Sequence, residues 1–287
     1  MNKIAVIDIG SNSVRLMMLA DGKVLYKTIK TTRLGEGLAF SPLLKSEAIE
    51  RTISAMEEFL EQARSEGVQS VYAFATAAVR SAENRTEFLK QAKNRLSLNV
   101  EVISGETEAE IGILGAIGLS DGGIIDVGGA STEFILQRQG KIVYEKSLNV
   151  GVVRVKDACG RNQKLVEQFV LDVIKEYGTP EIKEKIYAIG GTATSLAAIA
   201  NGLEKYQAEK VTGTVLTKSK MQEMTDKLFS MSVEEIRQIP CIDRLRADVL
   251  AGGAAILTSV MSQLKIEEIT VSDGDNLEGY AILKGLL

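Results

Sequence analysis

An apolar stretch that ends in an acidic residue and a glycine turn occurs twice in this chain. Residues 4–14 begin with four apolar positions, reach Asp8, and continue through glycine, serine and asparagine. Residues 124–134 repeat this order around Asp126, with two glycines ahead of serine and threonine. Each copy continues into a second apolar stretch, a glycine turn and a third strand-like segment, which is typical of β-hairpins. The repetition predicts two domains of one design.

Strands alternate with amphipathic helices in the rest of the chain. Apolar side chains at intervals of three and four predict a helix over 46–65. By similar patterns, further helices are predicted over 84–96, 109–119, 163–177 and 243–264, and strands over 71–75, 100–103, 186–189 and 268–271. This alternation predicts an α/β fold. The polar turn 120–123 places the expected domain boundary between 1–119 and 120–287, with a last helix that could pack back on the first domain.

Composition excludes several classes of function. The sequence contains no histidine, so histidine-based triads and zinc sites are excluded, and its two cysteines lack metal-ligand spacing. A net charge of −4 argues against a nucleic-acid partner. No secretory signal is recognised, and no apolar run approaches the roughly 20 residues of a membrane-spanning helix. We therefore expect a soluble, cytoplasmic protein without a membrane partner, and the sequence leaves the oligomeric state open, a dimer included.

Ligands in open α/β sheets bind where the strands end, and five predicted loops lie at such positions. They cover residues 8–13, 76–80, 104–108, 126–132 and 190–194. Glycine and hydroxyl groups ahead of a helix suit phosphate, and paired carboxylates suit a metal ion. Three of these features also have an ordinary structural explanation: a hairpin turn at 126–132, close helix packing at 190–194, and a solvated side chain for Arg80.

Glu106, Glu108 and Glu110 lie around a predicted helix start, where acidic side chains commonly complement the helix dipole. One of them could instead face a cleft and deprotonate a water molecule. Glu106 and Glu108 are about half a turn apart, so at most one of them should face a given site. The spacing does not say which.

Five motifs together resemble those of the exopolyphosphatase / guanosine pentaphosphate phosphatase (Ppx/GppA) family. In order, they are the turn after Asp8, Thr76 to Arg80, Ser104-Gly-Glu-Thr-Glu-Ala, Asp126-Val-Gly-Gly-Ala-Ser-Thr-Glu, and Gly190-Gly-Thr-Ala-Thr. The resemblance covers nearly the whole chain. It implies two ribonuclease-H-like domains flanking a cleft, as in the actin–hexokinase–Hsp70 superfamily. Longer relatives add a C-terminal helical domain of the histidine–aspartate type, which we do not expect in a chain without histidine.

The resemblance also implies roles for individual residues. Glu108 matches the family's catalytic base, and Asp126, Glu133 and Glu108 match carboxylates that hold Mg²⁺. Asn12, Arg80, Gly128, Gly129 and Ser131 match phosphate-binding residues. Their neighbours on the same loops and on the last motif are expected to contribute to substrate binding: Asp8, Gly10, Ser11, Ser13, Thr132, Gly190, Gly191 and Thr192.

The implied activity is Mg²⁺-dependent hydrolysis that releases the terminal phosphate of inorganic polyphosphate. Guanosine pentaphosphate is an alternative substrate for the same machinery. A regulatory protein that binds nucleotide or phosphate without turnover is a second alternative. A kinase fits least, because a kinase would place its acid elsewhere than Glu108.

The chain departs from the family pattern at three places, and the last two motivate the regulatory alternative. Thr107 replaces a glutamate, and Ala130 replaces the third glycine of a loop, which we expect to stiffen it. The sequence Asp-Asn-Leu-Glu-Gly at 275–279 replaces the family's Gly-Leu-Arg-Glu-Gly. An arginine is lost there and an acid is gained.

Overall fold

The structure, a computed structural model, describes residues 2–287. Within them the strands are β1 (Lys3–Ile9), β2 (Ser13–Ala20), β3 (Lys23–Thr31), β4 (Ser70–Ala75), β5 (Glu101–Val102), β6 (Gly122–Val127), β7 (Thr132–Arg138), β8 (Lys141–Leu148), β9 (Ile186–Ile189), β10 (Val215–Thr217) and β11 (Glu268–Val271). The helices are α1 (Ser46–Ser65), α2 (Ala77–Ser81), α3 (Arg85–Leu96), α4 (Gly105–Ile117), α5 (Val152–Cys159), α6 (Gln163–Ile174), α7 (Gly190–Ala200), α8 (Ala208–Val211), α9 (Lys218–Ser230), α10 (Val233–Arg237), α11 (Ala247–Gln263) and α12 (Asn276–Leu283). Short 3-10 turns lie at Lys175–Tyr177 and Arg244–Arg246.

The strands form two mixed sheets that are built in the same order. The first sheet runs β3-β2-β1-β4-β5, with an antiparallel meander over β1–β3 and parallel strands β1, β4 and β5. The second runs β8-β7-β6-β9-β11 in the same directions and adds β10 beside β11. The predicted α/β fold is confirmed, with two mixed sheets of the same topology. The boundary at 119/120 stays a prediction.

The duplication extends to the register of the first hairpin in each sheet. Asp8 of β1 lies directly opposite Arg15 of β2, and Asp126 of β6 lies opposite Glu133 of β7. The two aspartates therefore occupy equivalent places in the two sheets. Their cross-strand partners differ in charge, because the first hairpin carries a cation where the second carries an acid.

Helices cover both faces of each sheet. Helices α1 and α3 close one face of the first sheet with side chains such as Phe59 and Phe88, and α11 forms the centre of the larger core beside the second sheet. Helices α4 and α12 pack against each other, α4 also against the second sheet and α12 against the first. Leu277 and Tyr280 of α12 lie in an apolar cluster on the face of the first sheet opposite α1 and α3.

Two predicted loops are partly helical. Residues 77–81 form α2, and α4 begins at Gly105 rather than at 109. The Ser104 side chain accepts a hydrogen bond from the Thr107 backbone N–H, which caps the helix at this earlier point. The predicted strand over 100–103 is shorter than expected, because only two of its residues pair with β4.

One helical stretch is long and apolar enough to cross a membrane, although the sequence analysis found none. It covers Arg244–Gln263, and 67% of its apolar window is buried within the protein. Ile256 and Val260 of this stretch belong to the core beside the second sheet. Core packing accounts for its apolar character.

Helices α4 and α12 approach so closely that a side chain at Gly279 has no room. A Cβ atom there would lie 1.7 Å from the backbone oxygen of Ile111. We expect Gly279→Ala to separate the helices and to lower the free energy of unfolding by about 1–3 kcal/mol. Denaturant unfolding measures this loss. Gly105→Ala, where the added carbon meets open space within α4, should leave stability unchanged or slightly raised; equal losses in both variants would refute the close-packing explanation.

Candidate active site

A cleft of about 740 Å³ lies between the two sheets. It opens where the parallel strands of both sheets end, because Asp8, Thr76, Glu108, Asp126 and Gly190 lie at or after the carboxyl ends of such strands. Most residues predicted to bind substrate or metal line this cleft: Asp8, Gly10, Ser11, Asn12, Ser13, Glu108, Asp126, Gly128, Gly129, Ser131, Glu133, Gly190, Gly191 and Thr192.

The two glycine turns have the same hydrogen bonding and touch each other. The backbone N–H of Gly10 donates to Ser13 at 3.0 Å, and that of Gly128 donates to Ser131 at the same distance. A Cβ atom on Gly129 would lie 2.8 Å from the Asn12 backbone nitrogen. The structure therefore brings the two copies of the motif face to face. Ala130 does not adopt a positive φ, so this departure from the family pattern introduces no backbone strain.

Four carboxylates line this end of the cleft: Asp8, Glu108, Asp126 and Glu133. Burial raises the pKa of all four, and repulsion from one another and from the nearby Asp275 adds to the effect. The pKa of Asp126 rises to about 7 and that of Glu133 to about 8, the first moderated by Arg15 and the second by hydrogen bonds from Ser131 and Ser147. Such a cluster is suited to a divalent cation, which would relieve the repulsion.

The donor chemistry fits the Mg²⁺ that the sequence analysis expects. Carboxylate oxygens are the ligands that Mg²⁺ prefers, and Asp8 has one buried oxygen, Oδ1, without a hydrogen-bond partner in residues 2–287. No group of three acidic, histidine or cysteine side chains in this described part is already arranged around one point. Mg²⁺ usually binds through one or two carboxylates plus substrate phosphates and water, so a preformed triad is not required.

Glu108 is the acidic residue of the α4 start that faces the cleft. Glu106 and Glu110 are exposed, whereas the Glu108 side chain is 11% exposed and lines the cleft wall. At most one of Glu106 and Glu108 was expected to face the site, and the structure identifies Glu108. Burial raises the pKa of its carboxyl, which suits a group that accepts a proton near neutral pH.

Two residues predicted to bind phosphate do not line the cleft. Arg80 Nη1 donates to Glu108 Oε2 at 2.6 Å and to the Ile103 carbonyl at 3.2 Å. Thr132 is fully buried, and its hydroxyl donates to the carbonyl of Val150. The Thr132 hydroxyl is thus occupied, and the Nη1 atom of Arg80 is held by Glu108 and the Ile103 carbonyl. The sequence analysis also considered Arg80 as a solvated surface side chain, and this explanation does not hold, because Arg80 orients Glu108.

We expect Arg80→Ala to lower kcat by about tenfold or more, because Glu108 loses the partner that holds its carboxylate. Steady-state phosphate release separates this effect from the rise in KM that a phosphate-binding role implies. Arg80→Lys should recover part of kcat, since it keeps a cation beside Glu108. A higher KM with unchanged kcat would restore the phosphate-binding assignment.

The start of α7 offers a second anion-binding feature. Gly190 and Gly191 begin the helix, where backbone N–H groups lack helical partners. The Arg246 guanidinium lies against this turn, since a Cβ on Gly191 would come within 1.4 Å of its Nη1 atom. Within residues 2–287, Arg246 makes no ion pair or side-chain hydrogen bond. A side chain at 191 would displace the Arg246 guanidinium, so glycine there lets a cation without a protein partner lie beside free N–H groups.

Sequence reasoning missed the cationic side chains that line the cleft, namely Arg15, Lys27 and Arg246. Arg15 could have been found, because a turn centred between Ser11 and Asn12 places it opposite Asp8. Arg246 and Lys27 reach the cleft from the turn before α11 and from β3. No local pattern marks either residue.

The sequence model of the Ppx/GppA phosphatase family matches residues 5–284 of the chain. A bifunctional 3-dehydroquinate synthase/phosphatase of Fusobacterium nucleatum is 30% identical over 98% of this chain and 46% of its own length. An exopolyphosphatase 2 of Mycobacterium tuberculosis is 28% identical over 98% of both chains. A guanosine-5'-triphosphate,3'-diphosphate pyrophosphatase of Photobacterium profundum is 29% identical over 96% of this chain and 58% of its own length. The chain thus spans about half the length of two of these relatives and nearly all of the third.

Solved structures agree in fold over the full length. The crystal structure of the Aquifex aeolicus member of the Ppx/GppA family superposes with a TM-score of 0.79 at 28% identity, covering 99% of this chain and 98% of the other. An exopolyphosphatase from Cytophaga hutchinsonii superposes with a TM-score of 0.86 at 25% identity, covering 100% and 99%. The two-sheet arrangement is common to these proteins.

Proposed function

This chain belongs to the Ppx/GppA phosphatase family, and from that premise we propose that it is a Mg²⁺-dependent hydrolase of phosphoanhydrides. It releases the terminal phosphate of inorganic polyphosphate. The observation that carries the proposal is the meeting of the two glycine turns in one cleft, with the Glu108 carboxylate in its wall. Two relatives support it by their names, one an exopolyphosphatase and the other a guanosine-5'-triphosphate,3'-diphosphate pyrophosphatase.

The glycine turns and the start of α7 bind the terminal phosphoryl group. Backbone N–H groups at Gly129 and Gly191 are not blocked by Cβ atoms, and Arg246 adds a positive charge beside the second of them. These donors are fixed by the hairpins and the helix before substrate arrives. Fixed donors stabilise the charge that spreads over the phosphoryl oxygens in the transition state without reorganisation.

Glu108 orients and deprotonates the attacking water. Arg80 holds one carboxylate oxygen, Oε2, which leaves Oε1 to accept a hydrogen bond from water in the cleft. The raised pKa of the buried carboxyl makes it a better proton acceptor than a solvated glutamate. Asp126 and Glu133, with Asp8 nearby, would hold Mg²⁺, which would supply positive charge to the phosphate oxygens.

Guanosine pentaphosphate is a second candidate, favoured by the apolar part of the cleft lining. The exposed side chains of Val24, Leu25, Ile29 and Tyr206 contribute surface that inorganic polyphosphate would not use. A nucleoside could pack against such surface while its terminal phosphate occupies the glycine turns. The regulatory alternative would use the same groups without turnover.

Phosphate release distinguishes these functions. The protein is incubated with Mg²⁺ and polyphosphate, guanosine pentaphosphate or ATP, and free phosphate is measured. Release from polyphosphate or guanosine pentaphosphate supports the hydrolase and identifies its substrate. The regulatory function is supported if none is hydrolysed while binding persists. Transfer of the terminal phosphate of ATP to an added sugar or acid acceptor, without free phosphate, would indicate a kinase.

A further inference from the structure

Arg15 is held between two carboxylates inside the cleft. Its Nε donates to Asp8 Oδ2 at 3.0 Å and Nη2 pairs with the same oxygen, while Nη1 pairs with Asp275 Oδ2. Asp8 is 1% exposed and Asp275 is 7% exposed, so neither carboxylate is readily exchanged for water. The Nε/Nη2 edge of the guanidinium is thus occupied by Asp8 and its Nη1 atom by Asp275, at positions where a substrate phosphate would otherwise bind.

The segment that contains Asp275 also neutralises Lys27. Lys27 Nζ lies 2.6 Å from Asp273 Oδ2 and 2.8 Å from Glu278 Oε1. Of the cations that line the cleft, Arg246 is left without an ion pair within residues 2–287. A phosphoryl group at the start of α7 therefore has a free cation beside it, whereas a phosphate near Arg15 or Lys27 meets cations that are already paired with carboxylates.

Asp275 is a feature of this chain rather than of the family pattern quoted above. Glycine stands in its place there, and arginine stands at the position of Leu277. Leu277 is 1% exposed in the apolar cluster on the first sheet, so it offers no charge to the cleft. Of the two differences, only Asp275 places a charge against Arg15.

We propose that Asp275 is a specificity-determining residue, whose carboxylate occupies Arg15 and restricts the site to substrates with few phosphate groups. The inference rests on the proposed hydrolase function and adds to it the class of substrate: short phosphoanhydrides, not long-chain polyphosphate. Each additional phosphate of a long chain brings about one negative charge toward Asp275, Asp273 and Glu278. Like charges at such short range cost binding energy that no cation offsets.

The test replaces Asp275 without disturbing the helix it caps. Asp275 Oδ1 accepts from the Leu277 backbone N–H at the start of α12, and serine and asparagine serve equally well at this helix position. Asp275→Ser and Asp275→Asn therefore remove the charge and keep the cap. Glu209→Gln is the matched control, because Glu209 is an exposed carboxylate of the same cleft that does not contact Arg15.

Two measurements are made on each protein with tripolyphosphate and with long-chain polyphosphate, concentrations being counted as chain ends. KM is obtained from phosphate release, and Kd is obtained in a Glu108→Gln background, which needs no turnover. In both Asp275 variants we expect KM and Kd for the long chain to fall about tenfold, with changes below about threefold for tripolyphosphate. The Glu209→Gln control should leave both KM and Kd unchanged for both substrates.

The inference would be overturned if the ratio of the long-chain to the tripolyphosphate KM and Kd stayed unchanged in the Asp275 variants. It would also be overturned if the wild-type protein preferred long chains. Failure of the proposed function looks different. In that case the wild-type protein releases no phosphate from either substrate, and the Kd measurements still decide whether Asp275 excludes long chains. Thermal unfolding of each variant checks that the helix cap is intact.

Discussion

Replacing Glu108 by glutamine should abolish phosphate release while substrate binding persists. Glutamine has the same shape and can still accept the hydrogen bond from Arg80, but it cannot take a proton from water. We expect kcat to fall by about 10²–10⁴-fold, the usual contribution of a general base. Single-turnover phosphate release measures the loss, and binding of a phosphate analogue shows that the cleft is intact.

The neighbouring glutamate supplies the control for this prediction. Glu106 lies on the same first turn of α4 but is exposed, so Glu106→Gln removes the same charge without reaching the cleft. Its kcat should stay near the wild-type value. Full activity in the Glu108 variant, or equal losses in both, would rule out Glu108 as the base.

Removing Mg²⁺ with a chelator should have a comparably large effect, and so should Asp126→Asn. Asp126 and Glu133 face each other across one hairpin, and in the absence of a cation their charges repel. We expect kcat to fall by about 10²-fold or more in the variant, since both metal and phosphate charge stabilisation suffer. Asp172→Asn, on the exposed face of α6, is the control. Undiminished phosphate release in chelator would refute the metal requirement.

The same carboxylates predict an unusual pH dependence of stability for the metal-free protein. Folded pKa values of about 7 for Asp126 and about 8 for Glu133 lie above their unfolded values, so the folded state holds more protons in between. The two carboxyl groups therefore contribute fully to the stability of the folded state below pH ~4, and this contribution is lost as pH rises through 7 and 8. The melting temperature in chelator should therefore fall between pH 6 and pH 8.5. Asp126→Asn should make this fall in melting temperature smaller, and so should added Mg²⁺. A melting temperature that rises over this pH range would contradict the raised pKa values of Asp126 and Glu133.

The sequence was sufficient to predict those parts of the fold and the site that depend on short-range patterns. Asp8 and Asp126 each end an apolar strand at a glycine turn, so their place at the sheet edge followed from hairpin periodicity. The helix start at 190 followed from its glycines and from the strand before it. Glu108 required the family resemblance, because helical spacing alone did not separate it from Glu106.

Features set by distant contacts could not be predicted. Arg80 was expected to bind phosphate, yet the folding of α2 beside α4 places its guanidinium on Glu108. Arg246 lies more than fifty positions from Gly191 in the chain, and Asp275 meets Arg15 across 260 residues. Neither contact leaves a periodic signal. The departure at 275–279 was visible in the sequence, but its consequence for Arg15 required coordinates.

The position of α12 bears on the order in which the protein assembles during synthesis. All strands of the first sheet have been made once residue 102 is translated, but Val6, Met17 and Phe74 on one of its faces pack against Leu277 and Tyr280. That face has no complete cover until nearly the whole chain has left the ribosome. A nascent first half is therefore left with an open apolar surface, and chaperones that hold such surfaces would act on it while the second half is made.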